Sequence, residues 1–240
     1  MAVAPGQTSG TYDWFLSNSG VVIEAFDRIG LRPPELTRHH MMSARNSINL
    51  ECLQWANVGI NLFKVISGTI NLIANQATYA LQADLVTLTD VWYTTVNGNG
   101  AGYNQDRILT PVTRQEYAMI PNKLQPGIPN QFWYEMLATP TITFWQPPSQ
   151  GAPNYVVNWF GLQQIQDANL GGGERPDIVY RAIDALCARL AWRLAIKFAP
   201  AMTAARKDDA TEAWNDFATR DQEMGGTVIQ PNVSGYWRIT

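Results

Sequence analysis

The chain has 240 residues, of which 46% are hydrophobic and only 15% charged, with a formal net charge of -3. That length and apolar content exclude a fully disordered chain, and the slightly acidic balance argues against a protein that wraps nucleic acid, which needs clustered Lys and Arg on phosphate. A charged share below the roughly 25% usual in soluble domains leaves apolar surface to be covered, by Asn, Gln, Ser and Thr or by other subunits.

Ser17 or Ser19 caps a first predicted helix, whose Val22, Ile23, Phe26 and Ile29 recur at helical spacing and which ends near Gly30. Leu31-Arg32-Pro33-Pro34 forces an extended link. Glu35 then opens a longer helix carrying Leu36, Met42, Ile48, Leu53 and Trp55 and fading near Gly59. From about Leu62 the composition turns to Thr, Val, Ile and Tyr, and Val86 to Tyr93, Thr141 to Trp145 and Tyr155 to Phe160 read as strands. Gly98-Asn99-Gly100, Pro126-Gly127 and Gln146-Pro147-Pro148 mark turns and a longer loop. Thr113 and Glu116 fit a capping box in front of a short helix.

Gly171-Gly172-Gly173 lacks the following Gly-Lys-Ser/Thr of a phosphate loop and reads as a hinge. Pro176 suits the first turn of a helix from Asp177 to Phe198, about 33 Å long, with Ile178, Ile183, Leu186, Leu190, Leu194 and Ile196 as a broad apolar surface. Pro200 ends it. A more charged helix runs from about Met202 to Met224, with Trp214 and Phe217 on its buried side, and Gly225-Gly226 stops it. Helices from both ends thus flank a β-rich middle. The expected fold is α+β: a discontinuous antiparallel helical bundle from residues 1–61 and 175–226, an inserted β-rich domain over 62–174, and an extended C-terminal arm over 227–240.

Chemistry is sparse. Cys52 and Cys187 sit apart in helical patterns and read as buried thiols. His39 and His40 are adjacent on a helix, point in different directions, and have no carboxylate at ligand spacing. No Gly-x-Ser-x-Gly elbow supports a serine nucleophile. Glu116 and Glu135 are the least bland carboxylate pair for glycoside hydrolysis, yet the first reads better as a cap and the second as a strand-edge charge. The expectation is no catalytic residue, no metal and no cofactor. The tryptophans suit helix and strand interiors better than a sugar-binding platform. No apolar run reaches the ~18 residues of a membrane span, and Met1 is not followed by a signal-peptide pattern, so a soluble protein made in the cytoplasm is expected.

Both ends are aromatic where tails are usually polar. Thr11-Tyr12-Asp13-Trp14-Phe15 reads as folded back on the bundle. For Gly235 to Ile239, docking on a partner is favoured over folding back. Val228, Ile229 and Val233 would let this arm add to a neighbour's sheet edge while Tyr236 and Trp237, followed by Arg238 and Ile239, fill pockets.

The stretch Leu109 to Asp167 carries a resemblance. Leu109-Thr110-Pro111-Val112-Thr113-Arg114-Gln115-Glu116-Tyr117, Ile120-Pro121-Asn122-Lys123, Gly127-Ile128-Pro129, Phe132-Trp133-Tyr134 and Phe144-Trp145-Gln146-Pro147-Pro148 follow one another in an order that resembles the head-to-tail adaptor proteins of short-tailed bacteriophages. Leu36 to Trp55 and Ile183 to Ala188 occupy the corresponding helical flanks. Tyr93 to Asp106 and the final arm have no counterpart in the pattern. The resemblance implies a structural virion protein of the neck or tail. It would form a homo-oligomeric, dodecameric ring, bound to the portal protein and to the tail nozzle or hub, with the genomic DNA passing through its lumen without sequence-specific contact. Closing a ring needs heterologous interfaces, which bury apolar surface on two faces of each subunit. The competing readings are a peptidoglycan or polysaccharide hydrolase of the tail and a glycan-binding tail module.

Overall fold

The computed structural model describes residues 9–12, 14–58, 62–95, 105–150, 155–170 and 173–221. The fold is α+β, with two hydrophobic clusters of different origin. Helices α1 (Asn18–Arg28), α2 (Arg38–Val58), α4 (Ile183–Phe198) and α5 (Thr203–Arg220) build the first. Strands β1 (Val65–Asn71), β2 (Thr78–Ala80), β3 (Leu85–Thr95), β4 (Gln105–Ile108), β5 (Thr110–Pro111), β6 (Gln131–Glu135), β7 (Thr141–Trp145) and β8 (Tyr155–Gln163), with the short helix α3 (Arg114–Met119), surround the second.

Ser17 is the cap of α1: its Oγ accepts from the Gly20 N–H at 3.1 Å, and Ser19 lies inside the helix with its hydroxyl 3.0 Å from that of Ser17. Gly30 closes α1 at φ +83°, and the Leu31 N–H reaches back to the Phe26 carbonyl at 3.0 Å, a left-handed C-terminal turn that favours glycine. The next helix starts later than its sequence predicts. Pro33–Glu35 forms a 3-10 turn in which the Glu35 carboxylate accepts from the Arg32 N–H, so Glu35 is spent before α2 begins. Thr37 and His40 make the actual cap. The Thr37 N–H donates to His40 Nδ1 at 3.1 Å, and the His40 N–H lies 3.4 Å from Thr37 Oγ1, a reciprocal arrangement with an imidazole where Glu or Gln is usual.

The buried stripe of α2 is Ala44, Ser47, Ile48, Glu51, Cys52 and Trp55, while Met42 and Leu53, expected on that side, are exposed. Helix α4 is also shorter than predicted. Asp177 does not open it, because its carboxylate is occupied by Lys64 Nζ at 2.6 Å and the Gln166 N–H at 3.0 Å; Tyr180–Ala182 is a 3-10 turn, and the α-helix is about 24 Å long. Ile183, Leu186, Leu190 and Leu194 face the core as expected, whereas Ile196 points outward. On α5, Phe217 is buried and Trp214 packs at the edge of the same cluster; the helix stops at Arg220, before the predicted Met224.

The strands form two four-stranded sheets, β1-β8-β3-β4 and β2-β7-β6-β5. The first is antiparallel throughout; in the second, β5 joins β6 in parallel. Ile70, Tyr93 and Trp159 from the first sheet meet Tyr79, Phe132 and Phe144 from the second in one cluster. Trp159 is accommodated by two glycines. It lies opposite Gly68 in the β1–β8 register, and Gly161, two residues on, leaves room between Leu85 and the Thr87 carbonyl.

Gly98 to Gly100, Gly171 and Gly172 lie outside the described residues; Gly173, the last of its triplet, adopts φ +73°. No helix among the described residues is long and apolar enough to cross a membrane.

Candidate functional site

The fragments that carry the resemblance follow one another between Leu109 and Pro148 and are held together by contacts among them. The Val112 N–H donates to the Phe132 carbonyl at 2.8 Å, Asn130 N–H to Trp145 at 3.1 Å, and Trp145 Nε1 to the Asn122 carbonyl at 3.1 Å. Tyr117 of α3 stacks on Trp133 of β6 with ring centroids 5.2 Å apart. Lys123 is not held out to solvent as a free cation: its Nζ donates to the carbonyls of Ala118 at 3.0 Å and Ile120 at 2.7 Å, fastening the C-terminal end of α3. Gly127 exchanges backbone bonds with Pro147 and Ser149 at 2.8 and 2.9 Å, and a side chain there would collide with Gln146. Val112, Tyr117, Lys123, Gly127 and Trp145 of the motif therefore each brace another part of it. The same unit leaves Met119, Leu124, Ile128, Met136 and Leu137 exposed, an apolar surface that its own fold does not use.

Glu116 caps α3 as its sequence context predicts, with Oε2 accepting from the Thr113 N–H at 2.7 Å and Thr113 Oγ1 accepting from the Glu116 N–H at 3.2 Å. The backbone bond from Thr113 holds its carboxyl below the ordinary carboxylate range, opposite to what a general acid needs. Glu135 ends β6 opposite Thr141, on a different element. A depressed carboxyl contributes stability that is present above its unfolded-state pKa and lost as pH falls through the folded one. Acid unfolding followed by circular dichroism should thus show Glu116→Gln flatter than the parent chain below about pH 4.5.

His39 and His40 pack around Phe198 at the end of α4, with His40 edge-on at 4.7 Å. Burial pushes the thiols of Cys52 and Cys187 up to about 12, so both are inert at neutral pH. Among the described residues no cluster of His, Cys, Asp or Glu suits a metal ion.

The helical part holds a feature that sequence reading missed. Glu51 is fully buried on α2, and its carboxylate accepts from Trp55 Nε1 at 2.8 Å and from the Nε groups of Arg189 and Arg193 on α4. Arg193 also donates to Gln54, and Arg189 lies 4.6 Å over the Trp214 ring of α5. One turn further along, Lys197 donates to Ser47 at 2.7 Å and to Ser43 at 3.1 Å. Because partner numbers rise on α2 as they fall on α4, the two helices run antiparallel. An acid placed three residues after Ile48 and four before Trp55, matched by arginines four apart on another apolar helix, is the pattern that marks such a buried pair.

Of the first aromatic segment, Phe15 folds back on the helical cluster with Arg175 5.4 Å above its ring, while Tyr12 and Trp14 stay exposed. Val228, Ile229, Val233, Tyr236, Trp237, Arg238 and Ile239 lie outside the described residues. The described chain ends at Asp221, which is buried and accepts from Arg181 at 2.8 Å.

Braced turns, paired charges and outward apolar side chains are the features this protein presents. Its kind follows from comparison with protein families: residues 36–231 match the model described as SU10 adaptor protein. The chain belongs to that family of structural phage adaptors, and the match runs through both helical flanks and the braced motif region. No curated protein matches the chain.

Proposed function

We propose that this protein is the subunit of a ring that joins the portal to the tail nozzle or hub of a short-tailed phage, with the genome passing through the lumen. The observation that carries this reading is the family match over residues 36–231, which takes in the helices on both sides of the β region together with the motif unit. In this reading residues 1–61 and 175–226 form the ring wall, residues 62–174 an insertion on the tail-facing or outer side, and residues 227–240 the arm that docks on the portal. The two separate hydrophobic clusters support the division. Outward-facing Met42, Leu50 and Leu53 on α2 and Met119 and Leu124 beside the motif supply apolar surface for neighbouring subunits or partners. A weakly acidic chain lets DNA slide past without holding it.

Electron microscopy of the purified protein mixed with portal rings tests the proposal. The full chain is expected to add a second ring to the portal, and a chain truncated after Gly226 is expected to leave portals bare. Normal attachment by the truncated chain would remove the arm from the account, and bare portals with the full chain would remove the portal itself.

A further inference from the structure

Between α1 and the start of α4 runs an open groove of about 350 Å³. Trp14 and Tyr180, 72% and 75% exposed, and the partly buried Leu16 give it its accessible apolar surface, over a floor of the buried Ile183 and Cys187. The charged groups around it are already paired with one another. Arg28 bridges Glu24 at 3.0 Å and Asp184 at 2.7 Å, and Arg181 holds Asp221 at 2.8 Å. Such a groove offers apolar contact and no uncommitted charge, so its occupant is an apolar segment.

Where the described chain ends identifies that segment. Asp221 is bound to Arg181, itself a residue of the groove, so the described chain ends one side chain away from it. Gly225-Gly226 permits a reversal of direction, and Val228-Ile229 follow within roughly 25 Å of extended chain from Asp221, ample for a site that begins at its partner. We infer that in the free subunit residues 222–240 fold back into this groove of the same chain, with Val228 and Ile229 seated on the accessible surfaces of Trp14, Leu16 and Tyr180. The contact does not depend on the portal reading. If both hold, groove and portal compete for one segment, and joining the portal requires the groove to release it.

Tyr180 can be replaced by the photo-crosslinker p-benzoylphenylalanine in the full chain, since the site is exposed. Equal amounts of isotopically heavy and light protein are mixed, irradiated without portal and mapped by mass spectrometry. The expected product links position 180 to a peptide within residues 224–239 of the same isotopic label, and Val228→Asp with Ile229→Asp lowers its yield about tenfold. Links of mixed label would assign the groove to a second copy, and links elsewhere or none to the tail would overturn the inference. Either failure leaves the portal experiment, read by microscopy on a different complex, unaffected.

Discussion

Glu51→Ala is expected to destabilise the protein by about 3–5 kcal/mol, the cost of breaking a buried ion pair from one side. The carboxylate is fully buried and is the shared acceptor for Arg189, Arg193 and the Trp55 indole. Its removal leaves two guanidinium groups facing each other without the intervening charge, and side-chain exposures of 12% and 25% give them little water in exchange. Glu51→Gln keeps the shape and one acceptor oxygen, so its loss should be smaller. At roughly 2–4 °C per kcal/mol, the alanine variant should melt about 6–20 °C below the parent chain in calorimetry. Replacing Glu51, Arg189 and Arg193 together by apolar residues of similar size should cost less than Glu51→Ala alone, because no charge is then stranded. A triple variant as unstable as the single one would mean that the network contributes net stability as a unit.

The second large effect is expected at Gly68→Ala. Gly68 lies opposite Trp159 across the β1–β8 pair, and a methyl group built on it falls inside the indole. Trp159 is 3% exposed, and a side chain at Gly161 would meet both it and the Thr87 carbonyl, so the ring has little room to retreat. Overpacking of this kind costs about 1–3 kcal/mol, sometimes more when backbone must shift. The mechanism is checked by combining Gly68→Ala with Trp159→Leu. If the clash is the cause, the pair of substitutions should cost clearly less than the sum of the two alone in chemical denaturation. Additive losses would show that Gly68 matters for some other reason.

The helices were legible because apolar spacing reports a helix wherever one face is buried, and Ile48, Trp55, Leu186, Leu190 and Phe217 obey it. Helix starts were less so, since a side chain suited to a start can be recruited elsewhere. Glu35 serves a 3-10 turn, and Asp177 serves Lys64 and Gln166 across the chain. The outward faces misled for the opposite reason: Met42, Leu53 and Ile196 look like core residues, but nothing among the described residues covers them. Glu51 was hidden because one acid among Leu50, Cys52 and Leu53 looks like a surface position until its partners, more than a hundred residues away, are known. The motif's order could be read directly. That its members brace one another through Tyr117–Trp133 stacking and Lys123 could not, because those contacts depend on where β5, β6 and β7 meet.

The β1–β8 pairing also bears on the order in which the chain folds. Bringing Glu51 to Arg189 in a chain without other structure means closing 138 residues. Once the β region has formed, Val65 already lies opposite Leu162. The effective loop between Glu51 and Arg189 then shrinks to roughly 40 residues, and the entropic cost of closing it falls by about 1 kcal/mol, since that cost grows with the logarithm of loop length. The sheets therefore lower the barrier for a helical core whose two halves come from opposite ends of the chain, and the kinetic advantage goes to molecules in which the middle folds first.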